Sequence, residues 1–526
     1  MIWDQYDTTL GRAIKTTAQR ARDATAIIFD ERNGARSLSW MDADEQSDRI
    51  AVWLHQQGIE RGDRVGVMCT VRPEYILIYM ACVKLGAVLV GVNALYKGQE
   101  VSQLVARTSP KILFVVERDG DRPVCDEIAE VLADGGGCRV VKLHTDQPQQ
   151  GLLFDAIAET PTSEQRHWLA QRTAEIDPDD AALFVFTSGS TGVPKAVVLT
   201  HRNLIVNLAV QIRCFQMKAD DRLLVHMPLN HVGAATELVV PSFLLGSSMV
   251  LIERFDPQHA LDVVARHRVT FLHQVPAMYI KEFNLPNFEQ YDLSSLRTMT
   301  VAGATTPPAV MAKMMEKVPQ VFTGYGMTEL GGFVTYTEAN DDPDTISFTV
   351  GKIAPEFELK IVDDDKKEVP IGARGEVALR GDCCFKGYFG DEASTNEALD
   401  KNGWYYSGDI GVLDERRYLT LVDRKKLMFI TGGYNVYPRE IEDYVGRHDA
   451  VEFAACLPKP HDVMGEVGVL FVKLKDGTVR DTTAIERFCV DGLATYKVPR
   501  DIRVLKEFPL TPIGKIDRQK LSESIR

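Results

Sequence analysis

Apolar and polar positions change period repeatedly along the first part of the chain. Residues 8–22 repeat apolar positions every three to four residues and predict a helix, while residues 26–29 form a short apolar run that predicts a strand. The helical period returns over 41–57 and stops at Gly58, a residue that readily terminates a helix. Strands are predicted at 64–69, 87–92 and 111–116, with helical stretches at 73–85 and 101–107 between them. Such alternation predicts an α/β fold with largely parallel pairing, because each helix returns the chain to the starting edge of the sheet. Residues 133–137 and 144–150 are rich in Gly, Asp and Gln and predict surface loops.

The alternation continues beyond them. Residues 181–186 predict a buried strand, 197–199 a second one, and 201–211 a helix. Strands at 222–227, 248–252, 270–274 and 298–301 follow, with a helix at 257–266. From about residue 350 the pattern shifts to short alternating strands at 357–363, 375–380 and 410–414, separated by Gly- and Asp-rich turns, which predicts a small β subdomain. Beyond Asp423 a last segment carries its own mixed pattern. The expected architecture is therefore α/β: a large N-terminal domain of α/β layers with a β subdomain (1–422), a hinge (423–427) and a small C-terminal α+β domain (428–526).

Composition narrows the classes of function. At 526 residues the chain exceeds one ordinary core, and 45% hydrophobic with 25% charged residues describes a soluble globular protein. A net charge of −14 argues against a nucleic-acid partner and against binding anionic lipid through bulk electrostatics. A polyanionic substrate would have to be held by local donors and a metal. The nine cysteines show no C-x-x-C pair and no zinc spacing, and Cys383 and Cys384 are adjacent, so a reducing compartment is expected. The start, Met1-Ile2-Trp3-Asp4-Gln5, lacks a basic region followed by an apolar core, and the apolar stretch 75–92 is interrupted by Lys84 and Gly86. Neither a signal peptide nor a membrane span is expected, which points to the cytoplasm. The oligomeric state is left open, a homodimer included.

The candidate chemistry centres on residues 187–196. Thr187, Ser188, Ser190 and Thr191 supply four hydroxyls, Gly189 and Gly192 let successive N–H groups aim at one anion, and Lys195 adds a positive charge behind Pro194. The same stretch also reads as a polar hairpin loop between two strands. It differs from the G-x-x-x-x-G-K-[ST] loop, because only two residues separate the glycines. A second motif is Gly324-Tyr325-Gly326-Met327-Thr328-Glu329: a flat ring for a purine between glycines, a hydroxyl for a phosphate, and a carboxylate for Mg2+. Asp409, at the end of Trp404-Tyr405-Tyr406-Ser407-Gly408, reads as an acid on a tight turn that could grip the two hydroxyls of a ribose. Pro438 suits the first turn of a helix, with Glu440 and Glu442 near its positive end.

These motifs, in this order, resemble the adenylate-forming superfamily: acyl-CoA synthetases, adenylation domains of peptide synthetases, and luciferases. The resemblance spans nearly the whole chain and implies a mobile C-terminal domain and ATP, Mg2+ and coenzyme A as cofactors. It implies nucleotide contacts from Thr187, Ser188, Gly189, Ser190, Thr191, Gly192 and Lys195, from Tyr325, Gly326, Met327 and Thr328, and from Gly303, Ala304 and Thr305 against adenine. Asp409 and Arg424 would hold the ribose, Glu329 the metal, and Gly432, Gly433 and Tyr434 would border the CoA channel, with Lys426 as hinge. Lys515, in Pro509-Leu510-Thr511-Pro512-Ile513-Gly514-Lys515, would be catalytic together with Thr328 and Lys195. His231 would gate an acyl pocket formed with Val232, Gly233, Met278, Gly331 and Gly332, small or flexible residues that suggest a modest apolar acid, aliphatic or aromatic. Val232 stands where amino-acid-selecting domains carry Asp, which argues against an amino-acid substrate. Two departures are Ala196, where the family usually has Gly, and Leu427, where an acid is common.

The expected activity is an AMP-forming acyl-CoA synthetase with a carboxylic acid and CoA as small-molecule partners. Alternatives are an enzyme that loads a carrier protein, a luciferase-like oxygenase, or a non-catalytic nucleotide-binding protein of the same fold.

Overall fold

The computed structural model describes residues 7–31, 34–133, 137–143, 159–187, 194–304, 306–424, 427–431, 434–461, 464–475, 482–493, 496–511 and 515–525. Two large sheets dominate, and both are parallel at their centres. In one, the strands Thr25–Glu31, Ser248–Leu251, Arg222–Val225, Phe271–Gln274, Thr298–Val301 and Gln320–Met327 run parallel, and antiparallel strands close both edges. In the other, Arg139–Leu143, Ile112–Val116, Arg64–Met68, Val88–Val92 and Ala181–Thr187 are parallel, and Lys195–Thr200 and Gly387–Tyr388 add an antiparallel edge. Parallel strands buried on both faces read as continuous apolar runs, and Ile112–Val116 is buried at every position.

The helix Pro73–Leu85 packs against the second sheet and under neighbouring helices, and all its residues are buried. It begins with Pro73 at its first turn and ends at Gly86, whose φ of 85° closes it in a left-handed cap. Lys84 stays charged inside by ion pairs with Asp44 (2.6 Å) and Asp48 (2.8 Å) and a hydrogen bond to Ser47.

Two smaller sheets follow. Glu358–Val362, Gly375–Arg380, Tyr405–Leu413 and Leu419–Arg424 form an antiparallel sheet, and the C-terminal lobe is built on Val451–His461 and Gly465–Leu474 with three further strands. The helix Pro438–Val445 starts at the predicted proline. Its acids do more than face the helix dipole: Arg518 Nη2 donates to both Glu442 oxygens at 2.7 Å, and Glu440 pairs with Lys497 at 2.7 Å and with Arg374 at 2.5 Å.

Several elements carry no legible period. The edge strand Gly34–Ser39 and the helix Ser163–Glu175 are largely polar, and the helix buries only Leu169 and Thr173. Among the described residues no helix is long and apolar enough to cross a membrane.

Candidate active site

The parallel strands fix where chemistry can occur. Gln274 pairs with Val301, and Val301 with Thr323, so the segments after these strands emerge along one edge of the sheet. Ligands of open α/β sheets bind beyond the carboxyl ends of the strands. At this edge stand Val275, Gly303 and Ala304, followed by Thr328 and Glu329.

Lys515 reaches the same edge from the C-terminal lobe. Its backbone N–H donates to Thr511 Oγ1 (3.1 Å), the Thr511 N–H donates to the Lys515 carbonyl (2.7 Å), and Leu510 bridges Ile516. This small turn presents the side chain: a Cβ on Gly303 would lie 3.2 Å from Lys515 Cε and 3.4 Å from Val275 Cγ1. The lobe is held over the groove by the Arg374–Glu440 ion pair, with the Arg374 guanidinium 5.9 Å from the Tyr437 ring and Arg447 5.4 Å from Phe348.

His231 caps the short helix Val232–Ala235, its Nδ1 accepting the Gly233 N–H at 3.2 Å. Burial first, then the Lys515 ammonium and His273, push its pKa down to about 4. The imidazole is therefore neutral near pH 7, which suits a gate and not a general acid.

Of the hydroxyl-rich loop, Ser188, Gly189, Ser190, Thr191 and Gly192 lie outside the described residues, as does Thr305. The neck of the loop is described. Thr187 and Lys195 pair across an antiparallel hairpin, so the hairpin reading holds at the neck of the loop. Arg107 donates to the Pro194 carbonyl at 2.8 Å and anchors the base of the loop. Ala196 is fully buried within the strand Lys195–Thr200, so its methyl group packs into the sheet.

Lys195 Nζ lies 4.8 Å from the centre of the Tyr388 ring, and the Tyr388 hydroxyl donates to Glu329 Oε1 at 2.9 Å. Sequence reasoning missed Tyr388; the only local signal was the aromatic–glycine alternation of Phe385-Lys386-Gly387-Tyr388-Phe389-Gly390. One carboxylate so oriented suits a hard cation that keeps nucleotide phosphate oxygens as its other ligands. No cluster of three or more His, Cys, Asp or Glu with metal-binding geometry occurs among the described residues. The single Glu329 carboxylate fits a magnesium ion that draws its other oxygen ligands from a bound phosphate.

Two readings need correction. Asp409 is not on a turn: it lies within the strand Tyr405–Leu413, paired in register with Arg424, and Gly408 (φ 72°) supplies the local kink. Its carboxylate is buried and accepts the Tyr325 hydroxyl at 2.6 Å. Nor do the glycines around Tyr325 serve mainly to admit a base. A Cβ on Gly324 would strike the Thr335 carbonyl, and one on Gly326 the Gly332 carbonyl, because the strand Gly332–Tyr336 crosses them closely. Met327 is half-buried and Thr328 buried.

The predicted acyl pocket is also less apolar than expected. Val232 and Met278 are buried among apolar neighbours, and a side chain on Gly331 would face Leu204 and Leu199. A Cβ on Gly332, however, would stand 3.0 Å from Asn207 Oδ1 and 3.4 Å from Glu237 Cγ, and Glu237 pairs with His273. These polar side chains were not predicted, because Glu237 and His273 are far apart in sequence and sit singly in apolar surroundings. The proposed hinge and CoA positions Lys426, Gly432 and Gly433 lie outside the described residues, as do the side chains of Arg424 and Tyr434.

Comparison with known proteins supplies the lineage. Residues 14–389 match the family described as AMP-binding enzyme, and residues 440–515 its C-terminal domain. The medium-chain acyl-CoA ligase ACSF2 of Danio rerio is 31% identical, covering 98% of this chain and 88% of the relative. A 3-[(3aS,4S,7aS)-7a-methyl-1,5-dioxo-octahydro-1H-inden-4-yl]propanoyl:CoA ligase of Mycobacterium tuberculosis is 31% identical, with 98% of both chains covered. The crystal structure of ATP-bound MatB from Rhodopseudomonas palustris superimposes with a TM-score of 0.84 at 25% identity, over 98% of this chain and 99% of that one. With two family domains in order and relatives matched end to end, the chain belongs to the AMP-binding enzymes of the adenylate-forming superfamily, among its AMP-forming acyl-CoA ligases.

Proposed function

We propose that this enzyme joins a carboxylic acid to CoA in two half-reactions at one site. The observation that carries the reading is Lys515, delivered by the C-terminal lobe to Gly303 and Val275 at the carboxyl edge of the main sheet. In the first half-reaction a carboxylate oxygen attacks the α-phosphorus of ATP, the bond to the β-phosphate bridging oxygen breaks, and pyrophosphate leaves. Lys515 holds the acid and the α-phosphate together and balances the charge that builds up between two anions. Lys195 and the hydroxyls of 187–191 hold the departing phosphates, and Thr328 donates to the phosphate chain. Tyr325 and the 303–305 segment flank the adenine, with Asp409 and Arg424 on the ribose. Mg2+, when bound at Glu329, neutralises phosphate charge.

In the second half-reaction the lobe turns about Lys426, withdraws Lys515 and brings Gly432, Gly433 and Tyr434 to the groove. The CoA thiolate attacks the acyl carbonyl and AMP leaves. The Arg374–Glu440 pair, half-exposed on its arginine side, suits a contact that must break in each cycle.

Acid-dependent exchange of labelled pyrophosphate into ATP, run over a panel of carboxylic acids, tests the first half; thioester formation with free CoA tests the second. Exchange without thioester would point to a carrier-loading enzyme, and no exchange with any acid would refute the reading. A narrower test concerns Tyr388. Tyr388→Phe removes the hydroxyl that orients Glu329 and is expected to raise the KM for MgATP about three- to tenfold, as the loss of one hydrogen bond to a charged group would. An unchanged KM across a magnesium titration would remove Tyr388 from metal positioning.

A further inference from the structure

Beyond the short helix that His231 caps lies a cluster of charged and polar side chains. Glu237, 7% exposed, follows the helix Val232–Ala235 that His231 caps. Its Oε2 lies 3.0 Å from His273 Nε2, and His273 Nδ1 lies 2.6 Å from Thr300 Oγ1. His273 and Thr300 are register partners on adjacent parallel strands, so the sheet itself fixes the imidazole. Phe333 packs against that ring edge-to-face, with centroids 5.7 Å apart. His231 lies within electrostatic reach of both Lys515 and His273.

A buried carboxylate is costly unless its oxygens have partners. Glu237 Oε2 has His273, whereas Oε1 has no hydrogen-bond partner among the described residues. Gly332 is the residue that borders it, and any side chain there would crowd the Glu237 stem and Asn207. A wholly apolar acyl tail laid against this cluster would leave an acceptor unsatisfied. An ammonium tail would have to shed its hydration at a buried site, a large cost for a full charge. A neutral donor satisfies the oxygen and adds no charge.

We infer that Glu237, held by His273 and Thr300, reads a hydroxyl group on the distal part of the acyl chain, so that the enzyme prefers a hydroxylated carboxylic acid. This rests on the acid-activating reading above and specifies its substrate class. A site that hydrogen-bonds a substrate hydroxyl rejects the analogue lacking it far more strongly than an apolar pocket rejects an extra group.

The test measures kcat/KM for AMP release by the full-length enzyme with matched acids. The set comprises straight-chain acids of increasing length with and without a terminal hydroxyl, their amino counterparts, and arylalkanoic acids with and without a ring hydroxyl. The hydroxylated member of at least one pair is expected to be favoured about tenfold or more. Glu237→Leu should abolish or invert that ratio, whereas Glu237→Gln, which keeps an acceptor oxygen, should retain part of it; the KM for ATP should stay unchanged in both. A plain or amino acid that matches or beats its hydroxylated partner in every pair overturns the inference, as does a ratio unmoved by Glu237→Leu. Should that variant be insoluble, the wild-type ratios and Glu237→Gln decide. Turnover of plain acids without hydroxyl preference refutes the role of Glu237 alone; no turnover with any acid refutes acid activation itself.

Discussion

Lys515→Ala is expected to lower acid-dependent ATP–pyrophosphate exchange by roughly a hundred- to a thousandfold, the loss typical when one preorganised donor to a developing charge is removed. In the proposed cycle the lysine comes from a lobe that docks for adenylation; here its Cε stands at the Gly303 turn while Arg374 and Glu440 pair. On that proposal the charge is present in one orientation only. Thioester formation from supplied acyl-adenylate and CoA is expected to change less than about threefold, because that step uses the orientation from which Lys515 is withdrawn. Rapid-quench measurement of each half-reaction separates the two. Equal loss in both would mean that Lys515 supports the fold of the lobe or binds substrate throughout, and the division of labour proposed here would fail.

Lys84→Met is expected to destabilise the N-terminal domain by roughly 3–5 kcal/mol, since it leaves two carboxylates facing a buried apolar side chain. Lys84 is fully buried and is bound by Asp44, Asp48 and Ser47; Lys15 reaches both acids from outside and limits the loss. Burial opposes the charge on Lys84, but Asp48 and Asp44 more than offset it and raise its pKa. Burial likewise pushes Asp48 up, while Lys84 and Lys15 hold it below the ordinary carboxylate value. A raised lysine contributes stability below its unfolded pKa, about 10.4, and loses it as pH rises through the folded value; a lowered aspartate contributes above about 3.9 and loses it as pH falls. The gap between wild type and Lys84→Met should thus be flat across neutral pH and shrink in acid. Denaturant unfolding at neutral and acid pH checks both points, and a variant as stable as wild type at pH 7 would remove the buried pair from the stability of the domain.

Where local signals dominate, the sequence was informative. Ile112–Val116 and Ala181–Thr187 are continuous apolar runs between turn residues, and Pro73 with Gly86 marks both ends of a helix. The hidden elements are those whose stability comes from elsewhere: Gly34–Ser39 is a polar edge that exists because Thr25–Glu31 pairs with it. At the site the same division holds. Tyr325, Asp409 and Lys515 were legible because each sits in a compact motif, yet the Tyr325–Asp409 hydrogen bond spans 84 positions and no local pattern encodes it. Gly326 looked like room for a base, and the closer cause is the carbonyl of Gly332 across the hairpin. Asp409 looked like a turn residue because Ser-Gly-Asp is turn chemistry; pairing with Arg424 on one side overrode that preference, and a register shift on the other side takes up the Ser-Gly kink.

By itself the sequence determined the α/β alternation and the membership implied by five ordered motifs. Those follow from short-range rules, in which apolar period, capping residues and turn chemistry act within a few positions. Only the tertiary structure decided which side chains meet: that Lys515 reaches Gly303, that Tyr388 holds Glu329, and that Glu237 meets His273. Such encounters depend on parallel register and on the docking of one lobe against another. Packing across the whole chain sets both, and no window of sequence contains the two partners at once.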